Sequence, residues 1–305
     1  MSKFSVKING CFGDVLYSTP VIKYISKSHS EKIDVETNFP ELFKNNPYVE
    51  KIYDTNKNEF LLDNQFVYNL NNHYFGDIQK QIRKIHLTDY WSTNLGFTLL
   101  PEEKTLEFYP DKVEIEIPKQ KYVVINPSVT WACRTWDKEK WELLIEKIIK
   151  FGYQVVVVGK EINYDGDIKS FINLDNKNII NLVNKLNLSE LWYVISNCEV
   201  VITTNSGLLP FVGTTDSNLI QIGGAIDPYY RTPYRNGSQN YKHKFVGGSC
   251  KIFCQSDLKY NYDGKNKITD GFPEHNCFEN KPTYECHPSV NSVFNSFLEF
   301  IKKHN

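Results

Sequence analysis

The 305-residue sequence has almost no net charge and no long apolar run. Its 35 Lys and Arg against 36 Asp and Glu give a formal charge of -1, which excludes bulk electrostatic attraction to nucleic acid. No apolar segment approaches the roughly 20 residues that a membrane-spanning helix needs. The start, MSKFSVKI, lacks the apolar centre of a signal peptide. We therefore expect a cytoplasmic protein without a transmembrane segment, while peripheral contact with a membrane stays open.

The composition is that of a globular chain. With 41% hydrophobic and 23% charged residues it is neither disordered nor, with only 16 Gly and 13 Pro, fibrous. The length suits two ordinary domains or one large one. A framework of disulfides among the seven Cys is not expected, because the cytosol keeps thiols reduced.

Strand-like and amphipathic segments alternate along the chain, which predicts parallel sheets covered by helices. The predicted strands are 3–9, 33–37, 48–53, 65–70, 121–126, 154–159, 179–182, 199–204 and 219–222. The predicted helices are 15–28, a short one from Pro40, 77–97, 137–151, 189–196 and a closing helix, 290–303. A proline-punctuated stretch, 100–120, separates the two series. We predict an α/β protein with two doubly wound domains, 1–118 and 119–305, that face a cleft.

The first candidate site motif is GCFGDVLYSTP, residues 10–20. Two glycines directly after a strand allow a tight turn, and the next helix then presents free backbone N–H groups to a ligand. It is not the dinucleotide fingerprint, because the third glycine is missing and Asp14 stands in the motif. Asp14 is either a functional carboxylate or an ordinary helix cap.

Two further motifs follow predicted strands. In NPSVTWACRTW, from Asn126, hydroxyls precede Arg134, a combination suited to a diphosphate; the alternative is a polar loop with Trp136 and Trp141 in the core. In VVITTNSGLLPFVGTTD, from Val200, an Asn-Ser-Gly turn opens another helix. IGGAIDP comes next, and the basic residues after it (Arg231, Arg235, Lys242, Lys244 and Lys251) are expected to be mostly a solvated surface.

These motifs, in this order and with NPYVEKIYD behind the first, resemble glycosyltransferase family nine, the bacterial heptosyltransferases. The resemblance implies a GT-B fold with two Rossmann-like domains, the acceptor in the first and a nucleotide-sugar in the second. It also implies inversion in one displacement, without a catalytic metal. Asp14 is the expected general base. The residues expected at the donor are Gly13, Ser128, Thr130, Arg134, Glu161, Asn205, Ser206, Gly207 and Asp227.

The sequence departs from the family pattern at the donor motif. The family usually has Asp before the Ser/Thr-Gly pair and His a few residues later, where this chain has Asn205 and Pro210. A phosphate-site Lys of several members appears here as Arg134. These departures bear on the donor, commonly ADP-heptose, and not on the fold.

A cysteine-rich segment lies outside these motifs. Four Cys fall within a Gly-, Asn- and Lys-rich stretch that cannot build much core: Cys250, Cys254, Cys277 and Cys286. A structural zinc or iron would order it, and the arrangement is similar to the four-cysteine iron motif of autotransporter heptosyltransferases. Free thiols and disulfides are the alternatives. Cys11, Cys133 and Cys198 are expected to be small packed residues.

The sequence as a whole predicts a glycosyltransferase that moves a heptose-like sugar to a hydroxyl on a glycan, lipid or protein. We expect no nucleic-acid partner, no cofactor for catalysis, and leave an oligomeric assembly open. Two rival functions remain. One is a non-catalytic GT-B scaffold or subunit, and the other is a sugar-nucleotide epimerase of the same fold, which would need a His that the Asn-Ser-Gly turn lacks.

Overall fold

The computed structural model describes residues 3–61, 66–71, 85–127, 134–160, 176–254, 256, 277, 281 and 284–302. The first half contains parallel strands β1 (Phe4–Ile8), β2 (Ile33–Thr37), β3 (Val49–Asp54) and β4 (Phe66–Asn69), with helices α1 (Phe12–Tyr17), α2 (Thr19–His29) and α3 (Leu87–Asn94). These strands form a four-stranded sheet in the order β3-β2-β1-β4. One face is apolar, with Val6, Ile8 and Val35 fully covered. The opposite face carries a pair between Lys7 and the buried Glu36, 2.6 Å apart.

The second half is a six-stranded parallel sheet in the order β10-β9-β8-β5-β6-β7. Its strands are β5 (Tyr122–Asn126), β6 (Gln154–Val157), β7 (Ile179–Asn181), β8 (Val200–Thr203), β9 (Asn218–Ile222) and β10 (His243–Val246). Its helices are α4 (Lys138–Lys150), α5 (Leu188–Ser196), α6 (Leu208–Val212) and α7 (Val290–Lys302). The predicted closing helix α7 packs against α4. Trp136 and Trp141 are core residues, each 1% exposed.

The predicted helix 15–28 is wrong in its continuity, since the structure divides it at Ser18. Pro20 has no N–H to donate to the carbonyl of Leu16, four residues earlier. Thr19 Oγ1 donates to that carbonyl instead, at 3.0 Å, and Ser18 Oγ donates to the carbonyl of Val15 at 2.6 Å. The Ser18 N–H also donates to the Val15 carbonyl, at 3.1 Å, so hydroxyl and backbone bonds together bridge the break.

Three other segments differ from the sequence prediction. Of the predicted helix 77–97, residues 77–84 lie outside the described residues, and α3 starts only after His86, whose backbone is extended. The predicted linker is packed over part of its length, because Lys104, Leu106 and Phe108 are buried in it, whereas much of 111–121 is exposed. Strand β10 was not predicted, since its sequence HKFV alternates poorly and lies among basic residues.

The two halves share one continuous apolar cluster. It joins side chains of β1, β2 and α2 to those of β5, β6 and α6, and every residue of α6 is buried. No helix in the described ranges is long and apolar enough to cross a membrane. The shared apolar cluster holds α1 and α6 against each other.

Candidate active site

The two halves meet where Phe12 and Gly13 in α1 contact Gly207 and Phe211 around α6. This contact is named here the apolar contact. The Phe12 and Phe211 rings lie 5.6 Å apart between centroids. A β-carbon added at Gly13 would lie 3.2 Å from Pro210 Cγ, and one added at Gly207 would lie 3.2 Å from Phe12 Cδ1. Both glycines thus leave the space that lets the two helices meet.

Asp14 lies in the first turn of α1, directly above the turn that follows β1. A β-carbon on Gly10 would stand 3.7 Å from Asp14 Cβ and 3.9 Å from its Oδ2, so the carboxylate lies over this glycine. The pKa of the Cys11 thiol depends on its burial and on two nearby charged side chains. Desolvation raises its pKa, the Asp14 carboxylate raises it further, and the Arg134 guanidinium lowers it. The charges of Asp14 and Arg134 therefore both influence the Cys11 thiol.

Arg134 and Asn205 line one cavity at the carboxyl ends of the central strands. The other lining residues are Gln221, Ile222, Gly223, Gly224, Ala225, Ile226 and Phe245. Among the described residues, the Asn205 Nδ2 and the Thr204 Oγ1 are buried and have no hydrogen-bond partner. Buried polar atoms are normally satisfied, and these two stand at the strand end where open α/β sheets bind ligands.

The remaining sequence-predicted donor residues fall into two groups. Ser206 Oγ donates to Asn126 Oδ1 at 2.9 Å, and Asp227 Oδ1 accepts from the Tyr229 N–H at 2.9 Å; both side chains thus have bonds within the protein. Ser128, Thr130 and Glu161 lie outside the described residues, as does Cys133. The structure therefore places Arg134 and Asn205 in one cavity and Asp14 in the first turn of α1.

The comparisons with known proteins bear on this arrangement. Residues 90–250 match the family model for glycosyltransferase family 9 (heptosyltransferase). The chain belongs to this family. Lipooligosaccharide heptosyltransferase 2 of Haemophilus influenzae is 29% identical over 103 residues, covering 33% of this chain and 30% of that protein. Lipopolysaccharide heptosyltransferase 3 of Escherichia coli is 24% identical over 156 residues, covering 47% and 45%. The matches span less than half of either relative.

Solved structures confirm the GT-B fold of this family 9 chain. TibC of enterotoxigenic E. coli, described as an iron-containing dodecameric glycosyltransferase, is 18% identical with a TM-score of 0.74, covering 99% of this chain and 76% of that one. TibC has also been crystallised with ADP-D-β-D-heptose. A family 9 glycosyltransferase of Veillonella parvula is 11% identical with a TM-score of 0.63, covering 98% and 97%.

The structure shows what Pro210, one of the departures from the family pattern, contacts. Pro210 occupies the place where the family usually has His, and its ring fills the space above Gly13. Position 210 of this family 9 chain therefore contributes to the contact between the halves.

The cysteine-rich segment fits a metal only in part. Backbone hydrogen bonds join two of its stretches, from the Gly248 N–H to the Cys286 carbonyl at 2.8 Å and from the Cys250 N–H to the Glu285 carbonyl at 3.1 Å. In the parts of the chain described here, however, no three His, Cys, Asp or Glu side chains converge in a group that could hold a metal ion. None of the six cysteines at described positions is in a disulfide. The four-cysteine metal site is thus not confirmed.

Sequence reasoning missed a second connection between the halves. Tyr17 and His86 of the first half bond to the backbone of Arg231 and Thr232 in the second. We name these four residues the polar contact. His86 stands between Ile85 and Leu87 in a mixed stretch, RKIHLTD, and no local pattern marks it.

Proposed function

We propose that the chain is an inverting glycosyltransferase that moves a heptose-like sugar from a nucleoside diphosphate, first of all ADP-heptose, to an acceptor hydroxyl. The observation that carries this proposal is the cavity at the carboxyl ends of the strands that Arg134 and Asn205 line together, with the Asp14 carboxylate in the first turn of α1. Family membership and the ADP-heptose complex of TibC support it. The acceptor class is a glycan, lipid or protein.

The proposed reaction is a single displacement at the anomeric carbon. The Asp14 carboxylate takes the proton of the acceptor hydroxyl, whose oxygen forms the new bond to the anomeric carbon. The bond to the diphosphate breaks at the same time, and the nucleoside diphosphate leaves with the electron pair. Arg134 stabilises the charge that grows on this leaving group. The Asn205 amide, with its buried Nδ2, is a further donor to the bound nucleotide-sugar.

The proposal assigns the two sheets to different substrates. The second half, which contains Arg134 and Asn205, would hold the donor, and the first half, which contains Asp14, would hold the acceptor. Division into 1–118 and 119–305 remains part of this proposal. By the family resemblance, the displacement proceeds without a catalytic metal.

Substitutions at two residues separate the base from the donor site. Asp14→Asn keeps the size of the side chain but cannot take a proton, so turnover should fall roughly 10²–10⁴-fold while folding and ADP-heptose binding persist. Arg134→Ala should weaken donor binding itself, and Arg134→Lys should restore it only in part because an ammonium cannot form a bidentate pair. ADP release and calorimetric titration with ADP-heptose measure the two effects.

Three outcomes would contradict the proposal. An active Asp14→Asn enzyme moves the base elsewhere, and an Arg134→Ala variant with parental affinity moves the diphosphate. A parent protein that binds ADP-heptose but never releases ADP, with any glycan, lipid or protein acceptor offered, is a non-catalytic GT-B scaffold.

We also propose that Cys250, Cys254, Cys277 and Cys286 hold one structural zinc or iron. The backbone bonds that join the Cys250 and Cys286 stretches support this proposal, as does the iron in the fold neighbour TibC. Elemental analysis of purified protein should find about one metal ion per chain, and Cys254→Ser should lose it. Cys198→Ser, at a cysteine packed against the shared apolar cluster, should keep it. Native protein without stoichiometric metal overturns this proposal. TibC is described as dodecameric, and we propose that this chain also forms an oligomer.

A further inference from the structure

The polar contact joins the two halves through residues that do not themselves line the cavity. The Tyr17 hydroxyl donates to the carbonyl of Arg231, and His86 Nε2 lies 3.0 Å from the carbonyl of Thr232. Tyr17 is 2% exposed and His86 is fully buried. Two successive carbonyls of the second half are thus held by two side chains of the first.

The chemistry of His86 fixes the direction of its hydrogen bond. Burial lowers the pKa of His86 to about 3, so the ring is neutral near pH 7. A carbonyl oxygen only accepts, and the proton of the neutral ring must therefore be on Nε2. The ring stands edge-on to Tyr17 at 5.4 Å and to Tyr234 at 5.0 Å. These rings hold the imidazole in one orientation.

Neighbouring bonds make the receiving segment rigid. The Gln239 amide donates to the carbonyls of Tyr229 and Thr232, each at 2.7 Å. In the first half, Lys104 Nζ lies 2.7 Å from Asp89 Oδ1. The same Nζ lies 5.0 Å from the centroid of the Tyr234 ring, in the second half. A displacement of either half is therefore passed to the other through this contact.

The polar contact continues to both proposed parts of the active site. Thr232 Oγ1 donates to Gln221 Oε1 at 2.8 Å, and Gln221 lines the cavity of Arg134. At the other end, Tyr17 lies three residues after Asp14, on the same six-residue helix α1. A chain of bonds thus links the cavity lining to the helix that carries the proposed base.

We infer that Tyr17 and His86 are positioning residues, which set the place of Asp14 relative to the donor cavity by holding the Arg231–Thr232 backbone. This inference rests on the proposed function for its catalytic consequence. Reacting groups misplaced by about 1 Å lose up to 10²-fold in rate. Loss of the contact should therefore lower kcat while the KM for ADP-heptose, whose proposed contacts lie in the second half, stays the same.

The test compares two tyrosines with the same kind of bond. Tyr122 is as buried as Tyr17, and its hydroxyl donates to the Val194 carbonyl at 2.7 Å, entirely within the second half. Tyr17→Phe and Tyr122→Phe should lower thermal stability alike, because each loses one buried hydrogen bond. Only Tyr17→Phe should lower kcat for ADP release, by about tenfold, with KM within about twofold of the parent.

His86 offers a rescue experiment. His86→Leu removes the donor and should lower kcat about as much as Tyr17→Phe, whereas the amide nitrogen of His86→Gln still donates to the Thr232 carbonyl and should restore most of the rate. Equal loss of kcat in the Leu and Gln variants overturns the inference, as does equal loss in Tyr17→Phe and Tyr122→Phe.

A measurement without turnover separates this inference from the proposed function. Fluorophores on noncanonical residues at the exposed positions 57 and 150 report the distance between the halves by energy transfer. Tyr17→Phe should broaden the distance distribution, and Tyr122→Phe should not. A parent enzyme without ADP release sinks the proposed function, while an unchanged distribution in Tyr17→Phe sinks the positioning role.

Discussion

The apolar contact and the polar contact join the same two halves by different physics. In the first, Phe12 and Phe211 pack where two glycines leave room. In the second, Tyr17 and His86 bond to two carbonyl groups. Apolar packing is strong but depends little on direction, whereas hydrogen bonds weaken steeply when they are misaligned. The apolar contact therefore brings α1 and the second half together, and the polar contact sets their relative orientation.

The difference matters because the proposed base and the proposed diphosphate site lie on opposite sides of the junction. Asp14 belongs to the first half and Arg134 to the second, yet both act on the Cys11 thiol. A junction held by packing alone would allow the halves to slide while their apolar area stays buried. Directional bonds at a second point remove that freedom.

The largest expected effect comes from breaking the apolar contact. Phe211 is fully buried, and its ring packs against Phe12 at 5.6 Å and Phe108 at 5.2 Å. Phe211→Ala should lower the free energy of unfolding by about 3–5 kcal/mol, the range for a buried phenylalanine. Urea unfolding measures this loss, and the energy-transfer pair measures the movement of the halves.

A buried phenylalanine elsewhere is the control for Phe211→Ala. Phe297 is also fully buried, but it packs in the second half, with the Tyr153 ring 5.3 Å away. Phe297→Ala should cost a similar free energy of unfolding and leave the distance between the halves unchanged. If both variants move the halves equally, the apolar contact has no special part in the junction.

The second sheet could be predicted from the sequence because its central strands are continuous apolar runs. Val155, Val156 and Val157 are fully buried, as expected of a parallel strand covered on both faces. The motif around Asp14 was equally visible, since Gly13 stands directly before it. However, the sequence suggested that Gly10 and Gly13 allow a tight turn. The structure shows that Gly13 also leaves room for Pro210.

The polar contact could not be predicted, because its partners are far apart in the chain and two of them are backbone carbonyls. Any residue has a carbonyl, so nothing at Arg231 or Thr232 marks it as an acceptor. The break at Ser18 was missed for a different reason. The apolar spacing of 15–28 is that of one helix, and only the missing N–H of Pro20 divides it.

The last expected effect, smaller between pH 7.5 and 4.5 than that of Phe211→Ala, is a dependence of stability on pH through the polar contact. Burial lowers the pKa of His86 to about 3 from its ordinary value of 6.5, so below pH 6.5 the unfolded chain takes up a proton that the folded chain refuses. The stability that His86 contributes is fully present above pH 6.5 and is lost as the pH falls toward 3. The loss should be about 1.4 kcal/mol per pH unit within this window.

Urea unfolding at pH 7.5, 6.0, 5.0 and 4.5 measures this loss of stability. His86→Gln should remove this part of the slope, and Phe211→Leu, in the uncharged apolar contact, should lower stability equally at every pH. His243 has a pKa lowered to about 4 by burial and adds a slope of its own, which His86→Gln leaves in place. If the slope of stability against pH is the same in His86→Gln as in the parent, then the His86 imidazole of the parent is protonated in the folded protein. Its hydrogen bond to Thr232 would then be that of a cation.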